Sequence, residues 1–209
     1  LLGGHHGGNA LARRIADAIG GHAAVTTSGD LAFGLALDDP PAGWTLANPH
    51  HAKAFTAALL GGATVRLEGD CPWLADSDLP LSAEGELVIE VTEKRQSGDE
   101  AKLVYHPASL AVGVGCERGV EPAELEVLVS ASLALADLAP AAVGGIYSLD
   151  LKSDEEAVNA LAADFDLAPG FFSAARLEQE TPRLANPSEI VFAEVGCHGV
   201  AEGAALAAA

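Results

Sequence analysis

A chain of 209 residues with 49% hydrophobic and 20% charged side chains has the apolar material for one large or two small globular domains. A formal charge of -19 argues against a nucleic-acid partner or docking on anionic lipid, and reads as a solvated acidic shell. No apolar run approaches the ~18–20 residues of a membrane span and no signal-peptide pattern opens the chain, so a cytoplasmic protein is expected.

Leu1-Leu2 reads as the end of a buried strand, and four glycines around His5 and His6 read as a tight turn. Asn9 suits a helix N-cap, and Leu11, Ile15 and Ile19 recur as the apolar stripe of a helix that Gly20-Gly21 stops. Residues 23–27 predict a short strand, Ser28-Gly29-Asp30 a turn, and 38–43 a loop. Asn48-Pro49 predicts a cap with proline at the first helical position, opening a helix through Phe55 to Leu60. Residues 64–68 and 86–93 alternate as strands, with a loop over 70–85 between them. His50 and His51, at a helix start, are read as surface residues. Lys94 to Glu100 is polar and is the best candidate boundary.

Past Pro107 the pattern predicts a buried strand over 109–115, a Cys116-Glu117-Arg118-Gly119 turn, and a helix opening near Pro122. Leu125, Leu128, Val129 and Leu133 form that helix's expected core face. A strand over 145–149 follows, then a capping box at Ser153-Asp154-Glu155-Glu156 before a helix facing the core with Ala157, Val158, Leu161 and Phe165. Phe171-Phe172 reads as a strand, Ser173 and Asn186-Pro187-Ser188-Glu189 as caps, and 200–209 as an Ala-rich helix. This alternation predicts an α/β protein: two small α/β domains, mixed sheets flanked by helices, divided near residues 95–108.

Three glycine turns, around His5-His6, Glu117 and His198, each lead into a helix N-terminus, where free N–H groups and the positive dipole end suit an anion. The simpler alternative is that they are ordinary α/β connections. Gly113, Gly115 and Gly119 miss GxGxxG by one residue, so a dinucleotide site is rejected. No G-x-S-x-G elbow appears, which argues against an acyl-enzyme. Cys71, Cys116 and Cys197 are widely separated, the histidines dispersed, and adjacent His5-His6 a poor clamp, so no protein-bound metal is expected. Asp150, Asp154 and Glu155 read as capping and dipole compensation. Cys116 is either a nucleophile or a buried structural thiol.

GGHHGGN, the LARRIA helix and His22 to Thr27 together resemble the N-terminal domain of the CbiG family of cobalamin biosynthesis. GVGCERG (Gly113 to Gly119), SLDLKSDE (Ser148 to Glu155), FFSA (Phe171 to Ala174), NPSE (Asn186 to Glu189) and GVAEGAAL (Gly199 to Leu206) resemble its CobE-like C-terminal domain. Cys197-His198-Gly199 departs from the Thr-Pro-Ser more usual there. The resemblance implies a partial N-terminal-like domain over 1–50, a variable middle region or linker over 51–107, and a C-terminal-like domain over 108–209. The chain has no methionine, and we expect a fragment of a longer protein.

The resemblance also implies an activity, that of a cobalt-precorrin-5A hydrolase, which opens a δ-lactone on the corrinoid and releases acetaldehyde. The substrate would be an anionic corrinoid, with cobalt inside it and no other cofactor. That chemistry needs a base, donors for the oxyanion and an acid for the leaving alkoxide. His5 or His6 would be the base, with Glu117 as the carboxylate alternative. Arg118 and Lys152 would neutralise substrate carboxylates. Gly4, Gly7, Asn9, Gly115, Gly119 and Ser153 complete the expected substrate-binding set, and the site should be locally positive. The alternative function is a non-catalytic corrinoid carrier, from a fusion with a precorrin-3B methyltransferase. Expected protein partners are a second copy in a homodimer or other cobalamin-pathway enzymes.

Overall fold

Short apolar runs alternating with helix-length stretches call for strands joined by helical crossovers, which makes neighbouring strands parallel. A computed structural model, describing residues 8–21 and 28–209, has this plan twice. One unit comprises Gln96–His106 and the described residues up to Thr92, the other Glu93–Arg95 and Pro107–Ala209.

The first unit holds α1 (Gly8–Ile19), α2 (Ser28–Phe33), β1 (Trp44–Leu46), α3 (Ala52–Leu60), β2 (Val65–Glu68), α4 (Pro72–Ala75), β3 (Leu87–Val91) and β4 (Lys102–Pro107). Its sheet runs β1-β4-β3-β2, and the β2–β3 and β3–β4 ladders are parallel. Phe55, Val65, Leu74, Ile89, Leu103 and Tyr105 are fully buried in its core. Trp73 packs edge-on against both Trp44 and Tyr105, whose hydroxyl donates to the Leu37 carbonyl at 2.6 Å.

Several local expectations change here. Ser28-Gly29-Asp30 opens helix α2 and is not a free turn. Asn48 makes no helix cap; its side chain is buried, donates to the Lys102 carbonyl at 2.9 Å and accepts from the Val104 N–H at 3.1 Å. That amide stitches the start of α3 to β4, a partnership more than fifty residues away in sequence. Leu11, Ile15 and Ile19 are exposed, not core-facing, and only Ala16 of the helix is buried among its described side chains. Asn9 lies inside α1, which starts at Gly8. Gly20, at φ +64°, turns the chain out of that helix. The strand expected at 23–27 and the strand end at Leu1-Leu2 fall outside the described residues.

The second unit holds β5 (Leu110–Gly113), α5 (Pro122–Leu135), β6 (Val143–Leu149), α6 (Glu156–Asp164), β7 (Gly170–Phe172), α7 (Ala174–Glu178), α8 (Glu189–Val195) and α9 (Ala201–Ala208). Its sheet runs β5-β6-β7 with both ladders parallel. Helices α5 and α6 pack on each other, and α9 lies against β5 and β6. The strand period of two divides β6 between cores: Ile146 packs with Val129, Leu133 and Leu161, while Tyr147 and Leu149 pack with Leu177, Cys197 and Ala204. Gly113 is where α9 comes closest. A Cβ there would sit 1.9 Å from the Ala201 carbonyl oxygen and 2.6 Å from the Ala205 nitrogen.

Leu125, Val129 and Leu133 are buried as expected, but Leu128 is 59% exposed, because the helix buries a strip only one residue wide. Ser153 caps nothing: α6 begins at Glu156, with Glu155 in the cap position and no side-chain cap bond. Asn159 instead donates to the carbonyls of Ser153 at 3.1 Å and Glu155 at 2.8 Å. Ser173 and Ser188 do cap α7 and α8. Among the described residues no helix is long and apolar enough to cross a membrane.

Candidate functional site

Strand β5 ends at Gly113, but its path is held one residue further. The Val114 N–H donates to the Tyr147 carbonyl at 2.8 Å, and the buried Ser148 hydroxyl donates to the Val114 carbonyl at 2.8 Å. Beyond that point the N–H groups of Gly115, Cys116 and Glu117 find no acceptor among the described residues. Gly119, at φ +72°, reverses the chain, and its N–H donates to Glu155 Oε1 at 2.9 Å. The turn thus carries unspent donors at the carboxyl end of a parallel strand, where ligands of open α/β sheets gather.

This turn forms one wall of a cleft of about 760 Å³ within the second unit. Leu149, at the end of β6, and Lys152, just beyond it, form another wall; Val191, Glu194 and Val195 of α8 and the start of α9 close it. No side chain caps α9, so its first N–H groups are also unspent. A neighbouring apolar cleft of about 410 Å³ between β5 and α5 shares Gly115 and Ala201 with the first.

Arg118 pairs with Asp154 and donates to the Leu151 carbonyl. The hydrogen bond from Arg118 holds the Asp154 carboxyl below its ordinary pKa, and the guanidinium is raised in return. Lys152 has a mostly buried side chain whose ammonium makes no hydrogen bond among the described residues and lies 3.7 Å from Glu155 Oε2. Burial raises the Cys116 thiol, with the Lys152 charge partly offsetting it, so the resting form is the thiol. Glu117 and Glu194 are exposed, and their carboxylates make no hydrogen bond or ion pair among the described residues.

Gly115, Glu117, Arg118 and Lys152, picked out from separate stretches of sequence, therefore share one cleft. Gly119 lies just outside its lining, and Ser153 is an exposed neighbour of Lys152 whose hydroxyl bonds nothing among the described residues. Gly4, His5, His6 and Gly7 fall outside the described residues, and Asn9 belongs to α1 of the first unit. The expected local positivity is not found: the cations Arg118 and Lys152 are matched by Glu117 and Glu194 on the same lining. Asp154 and Glu155 are not dipole caps, being bound to Arg118 and to the Gly119 amide. Glu155 and Glu194 were not legible as site residues; both reach the cleft region through long-range packing. Among the described residues no three His, Cys, Asp or Glu side chains converge as a metal site.

Residues 110–209 match the family model for the cobalamin synthesis G C-terminus, and residues 1–30 the model for its N-terminal domain. Protein CobE of Sinorhizobium is 50% identical over 102 residues, covering 49% of this chain and 66% of that protein. The cobalt-precorrin-5A hydrolase of Priestia megaterium is 26% identical over 230 residues, covering 99% of this chain and 61% of that protein. The chain thus spans somewhat under two thirds of the length of these curated relatives. The crystal structure of CobE, a protein from the cobalamin (vitamin B12) biosynthetic pathway, matches at 36% identity over 48% of this chain and 71% of that one, with a TM-score of 0.46.

Proposed function

Since the chain belongs to the CbiG family of cobalamin biosynthesis proteins, we propose that it is a cobalt-precorrin-5A hydrolase, acting in the cytoplasm on an anionic corrinoid lactone. The observation that carries this reading is the alignment of 99% of the chain with a cobalt-precorrin-5A hydrolase. The cleft offers what the chemistry asks of a binding wall. Unspent N–H groups at Gly115, Cys116 and Glu117 suit an oxyanion, and Lys152 suits a substrate carboxylate. Arg118 is already engaged by Asp154, so a substrate carboxylate would compete for it. Water, activated by a base, adds to the lactone carbonyl; the acyl C–O bond breaks to leave a carboxylate and an alkoxide, and the C–C bond joining the alkoxide carbon to the macrocycle then breaks, releasing acetaldehyde while the macrocycle takes the electron pair and a proton. Glu117 is the base candidate in the cleft, and His5 and His6 are the candidates in the glycine turn. Cobalt enters only as part of the substrate.

A second reading, a module that binds and hands on the corrinoid without turnover, draws on one observation. Glu117 and Glu194, the carboxylates on the cleft lining, have no partner among the described residues to orient either as a base. Acetaldehyde release from cobalt-precorrin-5A separates the two: turnover supports the hydrolase, and tight binding without acetaldehyde supports the carrier. Comparing His5→Ala, His6→Ala and Glu117→Gln with His51→Ala identifies the base. Its loss should cost ~10²–10⁴-fold in rate with a nearly unchanged thermal midpoint. Full activity in all three of the first variants would remove general-base catalysis by these residues.

A further inference from the structure

Glu155 is the least expected side chain beside the cleft. Carboxylates are seldom buried unless paired, yet its side chain is only 4% exposed. Oε1 accepts the Gly119 N–H at 2.9 Å. Oε2 has no hydrogen bond and lies 3.7 Å from Lys152 Nζ and 3.8 Å from Arg118 Nη1. One buried carboxylate therefore grips the turn after β5 by its backbone and faces two cations carried on separate turns.

We propose that Glu155 is a positioning residue for anion binding. It holds Lys152 and Arg118 together at the cleft, so that Lys152 presents its ammonium to a carboxylate of an anionic macrocyclic ligand. The proposal rests on the cleft being the corrinoid site. Two like charges brought to one wall repel each other, and the mostly buried Lys152 is also desolvated there; a shared counter-charge offsets both costs. Because the contacts to Oε2 are longer than hydrogen bonds, Glu155 balances charge without consuming the donors. Arg118 has spent donors on Asp154 and Leu151, whereas all three of Lys152 remain. The Gly119 bond fixes the same turn that carries the unspent N–H groups.

The competing view makes Glu155 a fold-stabilising buried anion that merely opposes an incoming polyanion, and it predicts the opposite sign. Removing a negative charge beside an anion site tightens binding; removing a positioning residue weakens it. The probes are dicyanocobyrinic acid, a corrinoid with seven carboxylates, and its heptamethyl ester, which keeps the ring without the charge. Glu155→Gln keeps an acceptor for Gly119 and loses only the charge; Glu155→Asp keeps the charge. We expect Glu155→Gln and Lys152→Ala each to weaken binding of the acid by about tenfold or more, and Glu155→Asp to recover most of it. Added to Lys152→Ala, Glu155→Gln should change affinity by less than about twofold, the mark of residues acting through one another. The ester should not distinguish wild type from Glu155→Gln.

Unchanged or tighter acid binding by folded Glu155→Gln, while Lys152→Ala weakens it, overturns the role of Glu155 and leaves the cleft in place. Fully additive losses overturn it too. Equal binding by wild type and Lys152→Ala, or no binding by the wild type, overturns the cleft reading and this proposal with it. Should Glu155→Gln not fold, the Glu155→Asp affinity decides: a loss as large as that of Lys152→Ala in a protein of wild-type midpoint counts against the proposal.

Discussion

Two turns of the second unit share a Gly-Cys-x(-x)-Gly pattern, and the structure puts them to different uses. Gly115 to Gly119 leaves Cys116 half-buried and spends little of its hydrogen-bonding capacity internally. Gly196 to Gly199 spends more of it. Cys197 is fully buried, and the His198 N–H and Nδ1 both reach the Glu178 carboxylate at 3.0 Å. The His198 ring stacks on Phe192 at 4.4 Å, and its carbonyl accepts the Ser188 N–H at 2.8 Å. A turn with satisfied polar groups holds the fold together. One with leftover donors has something to offer a ligand, and the glycine and cysteine pattern alone does not separate these cases.

Helix α9 starts at the second turn and lines the cleft of the first, so its seat on β5 is where the comparison breaks most completely. Gly113→Ala should force α9 off the sheet, because the colliding atoms are backbone; we expect a loss of about 3 kcal/mol, read as a lowered thermal midpoint. An unchanged midpoint would mean that α9 does not pack there. Gly115→Ala meets the Val200 side chain at 3.3 Å and the Ala201 nitrogen at an ordinary 3.7 Å, and should cost far less. The cysteines sharpen the contrast at the next level down. Cys197→Ser puts a hydroxyl into an apolar, fully buried site and should cost about 1–2 kcal/mol, whereas Cys116→Ser should stay within about 0.5 kcal/mol. Denaturant midpoints of the two serine variants check this, and equal costs would erase the distinction.

How much of this was legible depended on whether the determining partner was near in sequence. Strands β5 and β6, helix α5 behind Pro122, and the Ser173 and Ser188 caps follow from signals within a few residues. Strand β4 carries a weak local signal because Lys102 and His106 give it polar ends and Pro107 closes it. Yet Leu103, Val104 and Tyr105 are fully buried, and His106 Nδ1 is satisfied by the Thr92 carbonyl at 2.6 Å. The Asn48-Pro49 pair looks like a cap locally, but its amide is claimed by β4. Ser153-Asp154-Glu155-Glu156 matches a capping box, yet Glu155 is bound to an amide 36 residues earlier. Arg118, Glu117 and Lys152 were legible as chemistry; their common cleft was set by packing that no local pattern encodes.

The smallest expected effect separates the two turns by pH. His198 is raised above its ordinary value of 6.5, first by the hydrogen bond it donates to Glu178 and then by the charges of Glu178 and Glu189. Glu178 is lowered below its ordinary value of 4.5, first by the same hydrogen bond. A raised histidine contributes stability that is complete below the unfolded value and fades as pH climbs through the folded one. A lowered carboxylate contributes stability above its unfolded value and loses it as pH falls through the folded one. The pair is therefore most stabilising between pH 4.5 and 6.5, and the wild-type midpoint should lose this contribution as pH rises above 6.5. His198→Gln keeps a donor for Glu178 but cannot charge, so its midpoint should be lower below pH 6.5 and converge on the wild type as rising pH neutralises His198. Lys152→Ala, which alters the other turn, should leave the wild-type slope in place. Parallel midpoint curves for wild type and His198→Gln across this range would show that His198 carries no charge-dependent load, and the second turn would then be held by its backbone bonds and the Phe192 stack alone.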